Sequence, residues 1–102
     1  MNLRNQSIQH HLAALNTLKN LMLSMKSLDN ISNINYTMSL NDELTQILDR
    51  GEKIYKKFVM ESDYSKESLE LYVLFLRNSM VKKIIIYIYY NIINILILLK
   101  IK

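Results

Sequence analysis

Apolar residues recur at intervals of three and four along the first part of the chain, from about Leu3 to Leu28. This spacing puts them on one side of an α-helix and predicts an amphipathic helix that packs against a neighbour. The predicted stripe consists of Ile8, Leu12, Leu15, Leu18 or Leu21, Met22, Met25 and Leu28. Turn and capping residues from Asp29 to Asn33 interrupt the pattern and predict the first connection.

A second amphipathic helix is predicted from about Ile34 to Val59. Its start lies as late as Ser39 if that serine caps the helix ahead of Asp42 and Glu43. The predicted stripe consists of Met38 or Leu40, Leu44, Ile47, Leu48, Gly51, Ile54 and Phe58. Gly51 costs about 1 kcal/mol of helix propensity relative to alanine. Either a neighbouring helix approaches closely there, or this copy of the sequence is damaged.

The polar stretch from Glu61 to Lys66 predicts a second connection, and Ser65 is the predicted start of a third helix that ends near Met80. The predicted buried side of this helix consists of Leu69, Tyr72, Leu74 or Phe75, Leu76 and Met80.

The chain from Ile84 to Leu99 is a run of 16 residues without a charge, bracketed by Lys82, Lys83, Lys100 and Lys102. A spanning helix needs about 17–25 such residues, so the run is at the short end of that range. Three alternatives are open: a membrane anchor, an artefact of translated AT-rich sequence, and a buried helix or strand. The first helix is amphipathic rather than uniformly apolar, so we expect no signal peptide and a cytosolic N-terminal part.

The composition favours helices. The 102 residues include one glycine, no proline and no cysteine, which excludes disulfides, thiolate zinc sites, glycine-rich phosphate loops and most all-β folds. The length allows one small domain. We predict an all-α fold, a small bundle of two to three antiparallel helices with an apolar C-terminal tail. Its parts are residues 1–60, an additional helix in 61–81, and the tail 82–102.

The candidate chemistry is sparse. His10 and His11 are adjacent, so on a helix they point about 100° apart and cannot share a metal ion. Asp42 and Glu43 are likewise neighbours rather than a facing acid–base couple. We therefore predict a non-enzymatic protein without cofactor or metal.

The net charge of +4 also carries little information, because without residues 82–102 nine Lys and Arg balance nine Asp and Glu. Lys56-Lys57 and Lys82-Lys83 are isolated doublets rather than a continuous basic face. We predict no nucleic-acid partner.

One segment carries a family pattern. It consists of Leu40, the run Asn41-Asp42-Glu43-Leu44, the aliphatic pair Ile47-Leu48, then Arg50, Gly51 and Glu52. This segment resembles the last helix of the GAT domain, the three-helix module of Golgi-localised gamma-ear-containing Arf-binding adaptors and Target-of-Myb-like proteins. Gly51 departs from the pattern, because the family usually has tyrosine there. The first helix then corresponds to the family's middle helix, and the resemblance covers about residues 6–58.

The family's long first helix and its preceding VHS domain have no counterpart, so the resemblance implies a fragment of a larger adaptor or a truncated gene. A two-helix remnant leaves one apolar face bare. Either the helix from Leu69 to Met80 packs there, or the chain self-associates.

The resemblance implies binding rather than catalysis, because GAT domains bind ubiquitin and, in some members, Arf GTPases. It implies an adaptor in vesicle-mediated protein transport, cytoplasmic and peripheral to endosome or Golgi membranes. The implied partners are ubiquitin or ubiquitinated cargo and a small GTPase. Met38 and Asp42 match the family's ubiquitin-contacting aliphatic and acidic positions. The structural alternative makes Met38 a core residue and Asp42 a first-turn carboxylate favoured by the helix dipole.

Two rival interpretations remain. The first is a small tail-anchored membrane protein, associated with the membrane through residues 84–99, whose cytosolic helices form an interaction surface. The second is an open reading frame without a selected function.

Overall fold

The computed structural model describes residues 2–101, with side chains described to residue 99. These residues form three α-helices and no strand: α1 (Leu3–Ser24), α2 (Ile31–Glu61) and α3 (Lys66–Ile101). A single turn of 3₁₀ helix, Met25–Ser27, extends α1. The bundle measures 57 × 22 × 16 Å. The predicted all-α helical bundle is confirmed.

The central helix, α2, runs antiparallel to both of its neighbours. Thr37 near its start donates a hydrogen bond to Ser24 at the end of α1, over 2.9 Å. On the other side, Asn41 bonds to Ile86 of α3, while Tyr55, further along α2, stacks on Phe75. Helices α1 and α3 pack mainly on α2 and have few contacts with each other. A furrow therefore runs between them.

Polar caps set the helix starts. Asn2 accepts a hydrogen bond from the backbone N–H of Asn5 at 2.8 Å, and Asn30 accepts one from Asn33 at 2.9 Å. These bonds satisfy N–H groups that have no partner within the first turn. Because Asn30 is the cap, α2 begins at Ile31, and the predicted starts at Ile34 and Ser39 are wrong.

The connection between α2 and α3 consists of residues 62–65. Asp63 and Tyr64 have positive φ angles of 54° and 56°, and the Tyr64 N–H donates to the Val59 carbonyl over 2.9 Å. This left-handed conformation ends α2. The Ser65 hydroxyl then accepts a hydrogen bond from the Ser68 N–H, which confirms Ser65 as the start signal of α3.

Helix α3 continues without a break to Ile101. The predicted end near Met80 is therefore wrong. No glycine or proline lies in this stretch, and the lysine pair at 82–83 does not interrupt helical hydrogen bonding. The apolar run 84–99 is the second half of the helix that begins at Lys66, rather than a separate element.

The core is built around α2. Aromatic packing defines its α3 side, where Tyr55 stacks on Phe75 with ring centres 4.5 Å apart and on Tyr72 at 6.3 Å. The buried core cluster consists of Ala14, Leu21, Leu40, Leu44, Ile47, Leu48, Tyr55 and Phe75. Of the two candidates in the predicted α2 stripe, Leu40 is buried and Met38 is half-buried. Ile54 and Phe58 are half-buried, because Tyr55 and Val59 occupy the core in their place.

The predicted stripe of α1 is wrong at Leu12, Leu15 and Met22, whereas Leu21 is buried and the remaining members are half-buried. The buried side consists of Ser7, Ala14, Thr17 and Leu21, whereas Leu12 is 57% exposed and Leu15 and Met22 are also exposed. Small residues at steps of three, four and seven let the two helix backbones approach closely, and this contact decides which side of α1 is inside. The larger residues are left facing the furrow and the solvent.

The predicted buried side of α3 is wrong at Leu69 and Met80, whereas Leu76 is half-buried. Phe75 is buried and Tyr72 half-buried, but Leu69, Leu74 and Met80 are exposed. Ser68, Ser79 and Lys82 are buried instead. Even so, α3 covers the side of the two-helix hairpin that would otherwise be bare, as the first of the two alternatives for that face expected.

Candidate functional site

The outward side of α3 is an apolar surface that extends along its whole length. Thirteen large hydrophobic residues of this helix are exposed, and Tyr87, at 69%, is the most exposed of them. They are Leu69, Val73, Leu74, Met80, Val81, Ile84, Tyr87, Ile88, Tyr90, Ile92, Ile95, Leu98 and Leu99. Soluble monomers rarely expose contiguous apolar patches larger than a few hundred Å². This surface is therefore the strongest candidate for a binding site.

Helix α1 adds to the apolar surface across the furrow. A groove of about 580 Å³ lies between the second half of α1 and Tyr89 of α3. Its lining is Leu15, Leu18, Lys19, Met22, Leu23, Met25, Lys26 and Tyr89. The two lysines are the charged members of this lining, so the groove is apolar with a positive rim.

The outward side of α2 has the opposite character. It exposes Asp42, Glu43, Asp49, Arg50, Lys53, Lys56 and Lys57. The inner sides of α2 and α3 face each other, so this charged side lies across the bundle from the apolar side of α3. The molecule as a whole is amphipathic, although α3 by itself has apolar residues all round its second half.

The predicted binding pair lies on the flank of α2. Asp42 is exposed, and its carboxylate has no hydrogen bond or ion pair with the described residues. Met38, one turn earlier, is half-buried rather than a full core residue. The two side chains share one flank of the helix, as their spacing predicts. The structure therefore leaves this pair accessible, without indicating a partner.

Three polar side chains are buried where α2 meets α3. Asn41 donates through Nδ2 to the Ile86 carbonyl over 3.1 Å, while its Oδ1 and the Ser79 hydroxyl find no partner among the described residues. Lys82 is 4% exposed, and none of the described carboxylates pairs with it. The sequence contains a weak signal for the inner side of α3, a spacing of four and three residues. This spacing runs through Ser68, Tyr72, Phe75, Ser79, Lys82, Ile86, Tyr89 and Ile93. Because Ser68, Ser79 and Lys82 are polar, the spacing of apolar residues alone does not reveal this side.

The two histidines have separate environments. Nδ1 of His10 lies 3.0 Å from the Gln6 carbonyl oxygen. Burial lowers the pKa of His11, and the positive charge of Lys82 lowers it further. On α2, burial raises the pKa of Tyr55. Among residues 2–99 we find no group of three His, Asp or Glu side chains close enough to hold a metal ion.

By length and composition, one helix could cross a membrane. The stretch 66–99 of α3 contains an apolar window with a mean hydropathy of 1.6, of which only 11% is buried inside the bundle. Low burial distinguishes this window from the core helix of a soluble protein, which passes the same length and composition test.

No protein-family model, curated protein or solved structure matches this chain.

Proposed function

We propose that this protein is a non-enzymatic membrane-associated bundle. In this arrangement α3 and the flank of α1 lie on the lipid surface, and α2 faces the cytosol. The observation that carries the proposal is that the bundle has an apolar side and, opposite it, a charged side. Thirteen large exposed hydrophobics lie along α3, and seven charged side chains lie on the outward side of α2. Contact with lipid removes the apolar side from water at about 25 cal/mol per Å².

The charge distribution supports an anionic surface. The chain after Glu70 contains no Asp or Glu, whereas Arg77, Lys83, Lys100 and Lys102 follow, in addition to the buried Lys82. Basic residues next to an apolar helix face attract anionic headgroups. Three tyrosines in the run 84–99 add side chains with an apolar ring and a polar tip, which are common at the boundary between lipid and water.

The packing favours a bundle that lies in the plane of the membrane. The 16-residue run is about 24 Å long at 1.5 Å per residue, and the hydrocarbon core is about 30 Å thick. Asn41 bonds to the Ile86 carbonyl, and the two helices are antiparallel, so the part of α2 that lies beside the run is the part before Asn41. A spanning orientation would bring the exposed polar side chains of this part, Ser32, Asn35 and Ser39, to bilayer depth, where polar groups without hydrogen-bond partners are costly. An in-plane bundle keeps the packing and avoids that cost.

Vesicle flotation tests the proposal. The full chain should float with phosphatidylcholine vesicles that contain phosphatidylserine, and alkaline carbonate should release it. The paired substitution Ile84→Glu and Ile88→Glu should abolish flotation. The matched pair Thr45→Glu and Gln46→Glu, at exposed α2 positions, should float normally.

Two results would contradict the in-plane proposal. Equal flotation of the two double variants would show that the α3 surface is not the lipid contact. Resistance of the bound protein to carbonate would show instead that α3 spans the membrane as a tail anchor, with the hairpin separated from it.

A second candidate function is ubiquitin binding through Met38 and Asp42, in an adaptor at endosome or Golgi membranes. The observation in its favour is that Asp42 is exposed without a described partner, on the helix that the membrane proposal leaves in the cytosol. Ubiquitin offers an aliphatic patch ringed by basic residues, which suits an aliphatic side chain beside a carboxylate. A small GTPase is the alternative partner.

Titration of labelled ubiquitin with the full chain tests this candidate. Weak, fast-exchanging shifts should appear at the aliphatic patch, and Asp42→Arg should abolish them without loss of helicity. Asp49→Arg, a matched charge reversal at an exposed position of the same helix, should retain them. If no shifts appear at millimolar concentrations, the protein does not bind ubiquitin.

A further inference from the structure

The groove between α1 and α3 has the features of a lipid site. We propose that it binds one acyl chain of an anionic membrane phospholipid, with the headgroup phosphate at Lys19 and Lys26. This inference rests on the proposed function, because it assumes that this side of the bundle faces the bilayer.

The floor of the groove suits a hydrocarbon chain. It is a cleft of about 580 Å³ whose apolar lining comes mainly from α1 and its terminal turn, with Tyr89 as the contribution of α3. Met22 and Met25 are unbranched and flexible, so they adapt to a ligand without a fixed shape. On the α3 side, the half-buried Tyr89 offers an apolar ring and a hydroxyl.

The rim of the groove suits an anion. Lys19 and Lys26 are exposed and seven residues apart, which places them about 10 Å from each other along one side of the helix. No acidic residue belongs to the lining. A phosphate headgroup can therefore contact one or both ammonium groups while its acyl chain follows the floor.

The charges also distinguish this occupant from a second copy of the chain. The exposed apolar helix of a second copy would be the second half of α3, which has basic residues and no acidic residue after Glu70. It would bring lysines toward Lys19 and Lys26 and leave all of them unpaired. An anionic lipid supplies apolar length and negative charge together.

Methionine-methyl NMR on the full chain provides the test, with dihexanoyl phosphatidylglycerol and dihexanoyl phosphatidylcholine as probes below their micelle concentrations. The phosphatidylglycerol should shift the methyl signals of Met22 and Met25. Met60 and Met80, which are 66% and 67% exposed outside the groove, should stay in place. The variant Lys19→Gln with Lys26→Gln should bind about tenfold more weakly. The matched variant Lys53→Gln with Lys57→Gln, on the outward side of α2, should bind normally.

Three results would overturn the inference. Equal binding of the two lipids would show that Lys19 and Lys26 do not select an anionic headgroup. Equal shifts at Met80 would indicate general adhesion to apolar surface. Shifts of Met22 and Met25 that follow protein concentration without lipid, together with a dimer in sedimentation, would show that a second copy fills the groove. These probes form no bilayer, so this test is independent of vesicle flotation. The chain can float without binding a lipid in the groove, and it can bind the short-chain lipid without floating.

Discussion

Gly51 of α2 lies so close to Phe75 of α3 that a Cβ atom on the glycine would be 2.9 Å from Cζ of the ring and 3.0 Å from Cε2. The Cβ of His10, on α1, would be 3.7 Å away. The glycine therefore lies at a point where all three helices meet. Of the two explanations that the sequence allowed for Gly51, the close approach of a neighbouring helix is the one the structure supports.

We predict that Gly51→Ala destabilises the bundle by about 1 kcal/mol. Alanine gains about 1 kcal/mol of helix propensity, but the overpacking of a buried ring costs about 1–3 kcal/mol. Phe75 cannot move aside freely, because its ring is stacked on Tyr55. Urea denaturation of the single variant measures the effect. In the background of Phe75→Leu the same substitution should become neutral or stabilising, and a stabilising effect in the native background would contradict the prediction.

We predict that stability falls as the pH falls below about 6.5, because of His11. Burial and Lys82 lower the pKa of this imidazole in the folded state, so the unfolded chain binds its proton more tightly. The contribution is complete above the unfolded pKa of 6.5 and is lost as the pH falls toward the folded pKa. Urea denaturation midpoints measured below and above pH 6.5 give the slope of stability against pH. His11→Asn should flatten it, His10→Asn should retain it, and an unchanged slope in the His11 variant would refute the assignment.

We predict that Lys82→Met stabilises the bundle by about 1 kcal/mol. The side chain is 4% exposed and none of the described carboxylates pairs with it, so its ammonium loses hydration without an ion pair. Methionine keeps much of the stem volume. Lys83→Met, at the exposed neighbouring position, should change the free energy of unfolding by less than about 0.5 kcal/mol. Equal effects of the two substitutions would show that Lys82 is hydrated.

We predict that Asn30→Ala costs about 1 kcal/mol. Its side-chain oxygen accepts the Asn33 N–H over 2.9 Å at the start of α2, and alanine leaves that donor unpaired. Asn35→Ala, at an exposed position inside the helix, should be neutral or slightly stabilising, because alanine is the better helix former. Thermal unfolding followed by circular dichroism compares the two. If both substitutions have the same effect, α2 begins later than Ile31.

The number of helices, the extent of α1 and the start of α3 were predictable, because spacing of three and four residues together with asparagine and serine caps is local information. The buried side of α1 was not. An apolar search selects Leu12 and Leu15, but close contact with α2 selects Ser7, Ala14 and Thr17 for their small size. Which side of a helix is inside depends on the helix opposite, and the sequence does not state that geometry.

The candidate site likewise has parts that were predictable from the sequence and parts that were not. The apolar run 84–99 and its flanking lysines were evident from composition, and so was the spacing of Met38 and Asp42. The groove at Tyr89 was not predictable, because its two walls are about 70 residues apart in the chain. The burial of Lys82 was missed for a related reason, since a lysine beside an apolar run is expected to be its solvent-exposed end.

The hydrogen bond from the Asn41 amide to the Ile86 carbonyl has a consequence for how α3 finds its place along α2. Eight of the 16 residues from 84 to 99 are isoleucine, so a shift of α3 by one residue or one turn would often exchange one isoleucine for another with little change in apolar contact. An amide that has to meet one carbonyl distinguishes between these nearly equivalent alignments. Within this repetitive segment, Asn41 therefore adds a polar constraint on alignment to the one that the stacking of Tyr55 on Phe75 provides in the first half of α3.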